Sequence, residues 1–212
     1  RGPASVECIR VARTWTFTDR EGRTQPLDMV IGNHENNYLY ARRGWVLPFR
    51  DFVPTPDEKR VFEGLSDDDL DWIESLPFTI RIREDGLDLT AVHGGFMPWM
   101  KTPGWYGRRM GYLVSRIAYI GDYGKILSPM KTSPRFWAAD YDGRFGEVFF
   151  GHTTHDRVNY YDHAVAVDVS KVGWVAAVVR SSDPGDDPYY EFYEEHGHSI
   201  IKHPLSLLAS RS

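Results

Sequence analysis

The chain carries one cysteine, Cys8, among its 212 residues. A single thiol cannot close an internal disulfide, so the fold has no covalent staple, and a reducing compartment, the cytoplasm, is the expected setting. Long apolar runs are scarce too. The longest, Val172 to Val179, is broken by Gly173 and is far too short to cross a bilayer as a helix, so nothing in it reads as a membrane anchor. Basic charge is in deficit: 25 Lys and Arg against 30 Asp and Glu leave a net −5. That balance argues against a generally basic nucleic-acid-binding surface, and an anionic ligand must be met by locally placed cations. A methionine start and a basic-then-apolar leader are both missing, so the chain is expected to begin partway through its gene product.

Apolar residues make up 42% and charged residues 26%, the mix of a folded domain rather than a disordered or fibrous chain. The length suits one generous domain or two small ones with a sizeable core. Rings are plentiful, with 7 Trp, 12 Tyr and 11 Phe, and serve either packing or stacking on a ligand. The sequence contains no internal repeat.

Apolar spacing predicts a helix over Ser5 to Thr14, and a polar turn-like stretch follows from Asp19 to Pro26. Leu27 to Ile31 reads as a short buried strand that empties at Gly32 into a loop carrying Asn33, His34 and Glu35. Two helices are predicted over Pro56 to Glu63 and Ser66 to Ser75, with Ser66 able to cap and Asp67 to Asp69 near the positive dipole end. Phe78 to Arg83 and Leu87 to Val92 read as a hairpin turning at Asp85-Gly86. Phe96 to Phe145, rich in Trp, Tyr, Gly and Pro, reads as a cover segment with one helix, Tyr112 to Ile120. Glu147 to Phe150 is a short strand, and Val158 to Tyr161, Ala164 to Asp168 and Gly173 to Val179 read as an antiparallel meander.

Three strand-to-loop junctions concentrate chemistry: Gly32-Asn33-His34-Glu35, Val92-His93-Gly94-Gly95 and Gly151-His152-Thr153. Imidazole beside amide or carboxylate oxygen suits borderline divalent metals, and glycine lets backbone crowd round an ion. A mixed N/O metal centre is the expectation. Other histidines have plainer readings: His163 as a strand-end residue, and His196 with His198 as chance alternation in a terminal strand.

In order and type the three junctions resemble the blocks GNH(E/D), VHGG and GH of the calcineurin-like metallophosphoesterases, whose earlier blocks are DxH and GDxxDRG. Arg1-Gly2-Pro3 resembles the tail of the second block. Arg135-Phe136-Trp137, Tyr141, Gly143 and Val148 to Thr153 resemble a segment of diadenosine-tetraphosphate hydrolases and bacterial Ser/Thr-phosphatase-like relatives. The resemblance covers residues 1–180 as a partial metallophosphoesterase domain with the aromatic-rich cover over 96–145, and leaves 181–212 as a C-terminal extension. It implies an α/β fold of two facing mixed β-sheets flanked by helices, an αββα sandwich lacking its first βα unit of roughly 30 residues.

The same resemblance assigns Asn33, His93 and His152 to one of two divalent metals (Mn, Fe, Zn or Ni). It makes His34 the acid that protonates the leaving oxygen, oriented by an acidic residue that would precede Arg1, and has Arg1 grip phosphate. Arg135 is a candidate substrate contact or an anchor for the cover. Without the DxH and GD residues at most one weakly held metal is expected, so the longer parent is read as the phosphoesterase and the 212 residues alone as inactive. The implied substrate is a small phosphorylated molecule such as a dinucleoside polyphosphate, with no nucleic-acid or membrane partner. A phosphoprotein substrate, as for a Ser/Thr protein phosphatase, is the first alternative, disfavoured because Ile31 stands where such enzymes carry an arginine. A non-catalytic binding fold or decayed phosphoesterase is the second. His155, displaced by one from a common second histidine, is left without a settled role.

Overall fold

The computed structural model describes residues 3–19, 21–44, 54–84, 87–102, 111, 113–120, 126–127, 135–169, 175–180, 189–196 and 199–204. The chain divides into two compact units, Arg1–Phe78 and Thr79–Ser212.

The first unit is helical. Helix α1 (Ser5–Thr14) leads through a small antiparallel pair, β1 (Thr16–Thr18) and β2 (Thr24–Pro26), to α2 (Asn33–Ala41), α3 (Pro56–Gly64) and α4 (Asp67–Ser75). Helices α3 and α4 begin on reciprocal caps. Thr55 accepts from the Glu58 N–H while Glu58 accepts from the Thr55 N–H, and Ser66 and Asp69 repeat the exchange. Ile9, Ile31, Tyr38, Leu39, Val61, Leu70 and Ile73 form the core of this unit. Asp69, fully buried, is also held by Arg10 at 3.3 Å. The Arg13 guanidinium lies 3.0 Å from Oδ1 as a charge contact without hydrogen-bond geometry.

Two expectations fail here. Leu27 to Ile31 forms no strand: the Leu27 N–H donates to the Trp15 carbonyl and the Ile31 N–H to the Pro77 carbonyl, but these single bonds at its two ends make no ladder among the described residues. Asn33, His34 and Glu35 are not a loop but the first turn of α2. Asparagine is a poor helix former, so the helix owes its existence to burial of Asn36, Asn37, Tyr38, Leu39 and Ala41.

The second unit is built on a five-stranded mixed sheet. Strands β3 (Thr79–Glu84) and β4 (Leu87–Val92) pair antiparallel as the expected hairpin, and the Asp85-Gly86 turn lies outside the described residues. A second sheet joins β5 (Tyr119–Ile120), β6 (Ile126–Leu127) and β7 (Arg135–Phe136). Strands β8 (Glu147–Phe150), β9 (Asn159–Tyr161) and β10 (Ala164–Ala166) complete the main sheet in the order β3-β4-β8-β10-β9. Strand β8 runs parallel to both β4 and β10. Of the predicted antiparallel meander, β9 and β10 do pair antiparallel, but the third strand, Val175–Arg180, pairs in a separate sheet rather than with β10. A third antiparallel sheet of β11 (Val175–Arg180), β12 (Tyr189–His196) and β13 (Ser199–Pro204) carries the C-terminal residues. His196 pairs with Ser199 there, while His198 lies outside the described residues.

The segment expected to be one helix from Tyr112 to Ile120 is shorter. Leu113 and Val114 are helical, Tyr119–Ile120 is strand β5, and Tyr112 lies outside the described residues. The aromatic cover supplies core: Phe96, Trp137, Tyr141 and Phe145 pack with Val92, Val148 and Phe150. Trp137 meets Phe150 edge-on at 4.9 Å and Phe96 meets Phe145 at 4.8 Å. Burying each large ring contributes roughly 2–3 kcal/mol, which makes these residues structural first. Trp105 and Tyr106 lie outside the described residues.

Candidate functional site

Parallel pairing of β4 and β8 matches Val92 with Phe150, so both strands end level and hand the chain to His93 and Gly151 at the same edge. The Gly151 N–H donates to the His93 carbonyl at 3.0 Å, continuing the ladder one step past the strands. His152 then turns into the left-handed region, with φ 66°. That turn sets its ring edge-on to His93 with centroids 5.4 Å apart. An imidazole-bearing residue at positive φ costs about 1 kcal/mol, strain of the kind found where a side chain must be aimed.

The glycines after His93 are dictated by crowding. A Cβ on Gly94 would stand 2.4 Å from the Val114 carbonyl oxygen, and one on Gly95 would enter the Trp137 indole at 2.3 Å. Beside Gly151 lie His93 Nδ1 and the β-carbon of Asp168, a residue that no motif singles out. His155 is tied elsewhere: its N–H donates to the Asp168 carbonyl at 2.8 Å and its Nδ1 meets the Asn159 amide at 2.6 Å. Burial holds the His155 imidazole below its ordinary pKa, against the opposing pull of Asp168 and Asp156.

In the first unit, Gly32 caps α2 and Asn33, His34 and Glu35 form its opening turn, the positive end of the helix dipole. His34 Nδ1 stands 3.2 Å from Glu58 Oε1, which also accepts from Asn37 Nδ2 at 3.1 Å. Burial works to raise the Glu58 carboxyl. Bonds from Thr55, Asn37 and His34 outweigh it and hold the group below the ordinary Glu value. His34 also lines a largely apolar cleft of about 590 Å³ with Ile9, Met29, Val30, Tyr38 and Trp72.

The residues expected from the sequence thus fall in two groups. His93 and His152 come together at one sheet edge of the second unit, and Asn33 and His34 open α2 in the first. Arg1 lies outside the described residues. Arg135 is exposed and stands 3.3 Å from Asp140, a residue of the same cover segment. Among the described residues no group of three or more His, Cys, Asp or Glu is placed to hold a metal. Two adjoining imidazoles are the donor type that borderline divalent ions accept.

The sequence is 30% identical over 152 residues to a symmetrical bis(5'-nucleosyl)-tetraphosphatase from Acidovorax ebreus. The aligned part is 68% of this chain and 47% of that protein, so the chain spans about half the length of the curated relative it matches. No family model matches the chain. Among the described residues no helix is long and apolar enough to cross a membrane.

Proposed function

We propose that this chain is part of a calcineurin-like metallophosphoesterase that hydrolyses a phosphoester or phosphoanhydride with divalent metal. A small molecule such as a dinucleoside polyphosphate is the favoured substrate. The observation that carries the reading is the level ending of parallel β4 and β8 in His93 and His152, with rings 5.4 Å apart, in a chain similar to a tetraphosphatase. Of the ligands that the resemblance names, His93 and His152 would hold the ion. When bound, it would supply Lewis acidity toward the phosphoryl oxygens and the attacking water. His34, at a helix N-terminus that favours anions, would give its proton to the leaving oxygen.

Ile31 bears on the substrate. It is buried in the core of the first unit, so no cation replaces it without rebuilding that core, which supports a small molecule over a phosphoprotein. The DxH and GD donors would come from residues preceding Arg1, and the two-sheet sandwich would be completed with them. The 212 residues alone are then inactive. In this reading the enzyme works in the reducing cytoplasm, where the free, exposed Cys8 stays a thiol.

The test assays the 212-residue chain and the parent product, read from in-frame upstream DNA, with Mn²⁺ against a dinucleoside tetraphosphate, p-nitrophenyl phosphate and a phosphopeptide. Expected is hydrolysis of the dinucleotide by the parent and background rates for the shorter chain. Equal rates from both overturn its inactivity, and preference for the phosphopeptide overturns the substrate class. A parent silent on all three overturns the enzyme.

A further inference from the structure

We infer that Glu58 is the positioning residue of His34, holding the proton of the neutral imidazole on Nδ1 and leaving Nε2 as the ring nitrogen that exchanges protons with substrate. This rests on the reading of His34 as the acid. It places the orienting carboxylate on α3, whereas the resemblance puts it upstream of Arg1.

The hydrogen bonds set the direction. Glu58 Oε2 accepts from the Thr55 N–H and the Thr55 hydroxyl, both at 2.9 Å, and Oε1 accepts from Asn37 Nδ2 at 3.1 Å. A peptide N–H and an amide NH₂ only donate, so the buried carboxylate is an acceptor at both oxygens. The proton in the 3.2 Å contact between Oε1 and His34 Nδ1 then belongs to the imidazole. To act as an acid the ring must first be protonated at both nitrogens; after giving the proton from Nε2 it is left as the neutral Nδ1–H form that Glu58 holds.

Capping alone does not require this residue. Helix α4 has the same reciprocal cap with Asp69 in the place of Glu58, bonded at 3.1 and 3.2 Å. Aspartate therefore suffices for the cap. The extra methylene of Glu58 brings Oε1 to His34 while Oε2 serves the helix end.

The experiment is a long-range ¹H–¹⁵N correlation spectrum of the ¹⁵N-histidine-labelled chain at alkaline pH, with His34→Gln assigning the signal. Expected is the Nδ1–H tautomer in excess by about tenfold or more, as a charge-assisted bond implies. In Glu58→Gln the single carbonyl oxygen is claimed by the two Thr55 donors, so the NH₂ faces Nδ1 and the ring switches to Nε2–H. Glu58→Asp keeps the cap and the melting temperature but withdraws from the ring, and the Nδ1–H excess falls. A wild-type ring protonated on Nε2, or a tautomer ratio unmoved in both variants, overturns the inference. Because no hydrolysis is read, failure of the enzymatic reading leaves this result standing, and an unmoved ratio removes Glu58 even from an active enzyme.

Discussion

The Tyr141 hydroxyl accepts the backbone N–H of Phe145 at 2.7 Å. It donates in turn to the Gly146 carbonyl at 3.1 Å, so one phenol closes the loop that feeds β8. Tyr141→Phe strands the buried Phe145 N–H and is expected to cost about 2 kcal/mol in urea unfolding. Burial pushes the Tyr141 phenol up to about 12, against the pull of the Phe145 N–H. With the folded value raised, its contribution is full below the ordinary phenol pKa of about 10 and is lost as pH rises toward 12. An ultraviolet titration should show one fewer late-ionising tyrosine in Tyr141→Phe than in the wild type, since burial raises the Tyr161 phenol as well.

Asp69 ties α1 to α4. Burial opposes its charge, but Ser66, Arg10 and Arg13 hold the carboxyl below the ordinary Asp value. A lowered folded pKa gives stability that is present above the unfolded value, about 4, and lost as pH falls through the folded one. Asp69→Asn should therefore destabilise the chain by about 2–3 kcal/mol at neutral pH. The gap in melting temperature between wild type and variant should close on acidification; a gap that stays constant with pH contradicts the charge argument.

Gly94→Ala should be among the most damaging single-methyl additions in the second unit. The obstructing atom is the Val114 carbonyl oxygen, part of the backbone, and cannot swing aside as a side chain would. A loss of roughly 3 kcal/mol is expected, read as a fall in the urea midpoint.

His152 separates backbone from side chain. Both His152→Ala and His152→Gly remove the imidazole, but only glycine is at ease at φ 66°. His152→Gly should be the more stable of the two by about 1 kcal/mol. Equal melting temperatures would show that the left-handed turn is not strained.

The readable parts of the fold were those specified by neighbours in sequence. The Ser66 cap of α4 and the β3-β4 hairpin are local, and each was visible in residues a few positions apart, whereas the Thr55 cap of α3, equally local, was not read. The three glycine-bearing junctions were visible as composition, and for His93 and His152 the expected adjacency is present. What escaped depended on partners far along the chain. Helix α2 holds three asparagines and looks like a loop until burial and the Glu58–Asn37 bond are known. Leu27 to Ile31 has the apolar content of a strand without a ladder beside it, and the direction of β8 is set by β4 and β10 rather than by its own residues.

The parallel match of Val92 with Phe150 also sets a timetable for refolding. Parallel neighbours cannot meet through a tight turn, so everything between Val92 and Glu147 must be gathered before the two edges register. Caps and the β3-β4 hairpin close over short stretches within microseconds, whereas this crossover pays its loop entropy first and is repaid late. The imidazole pair is therefore assembled near the end of the folding sequence, after most of the hydrophobic collapse is complete.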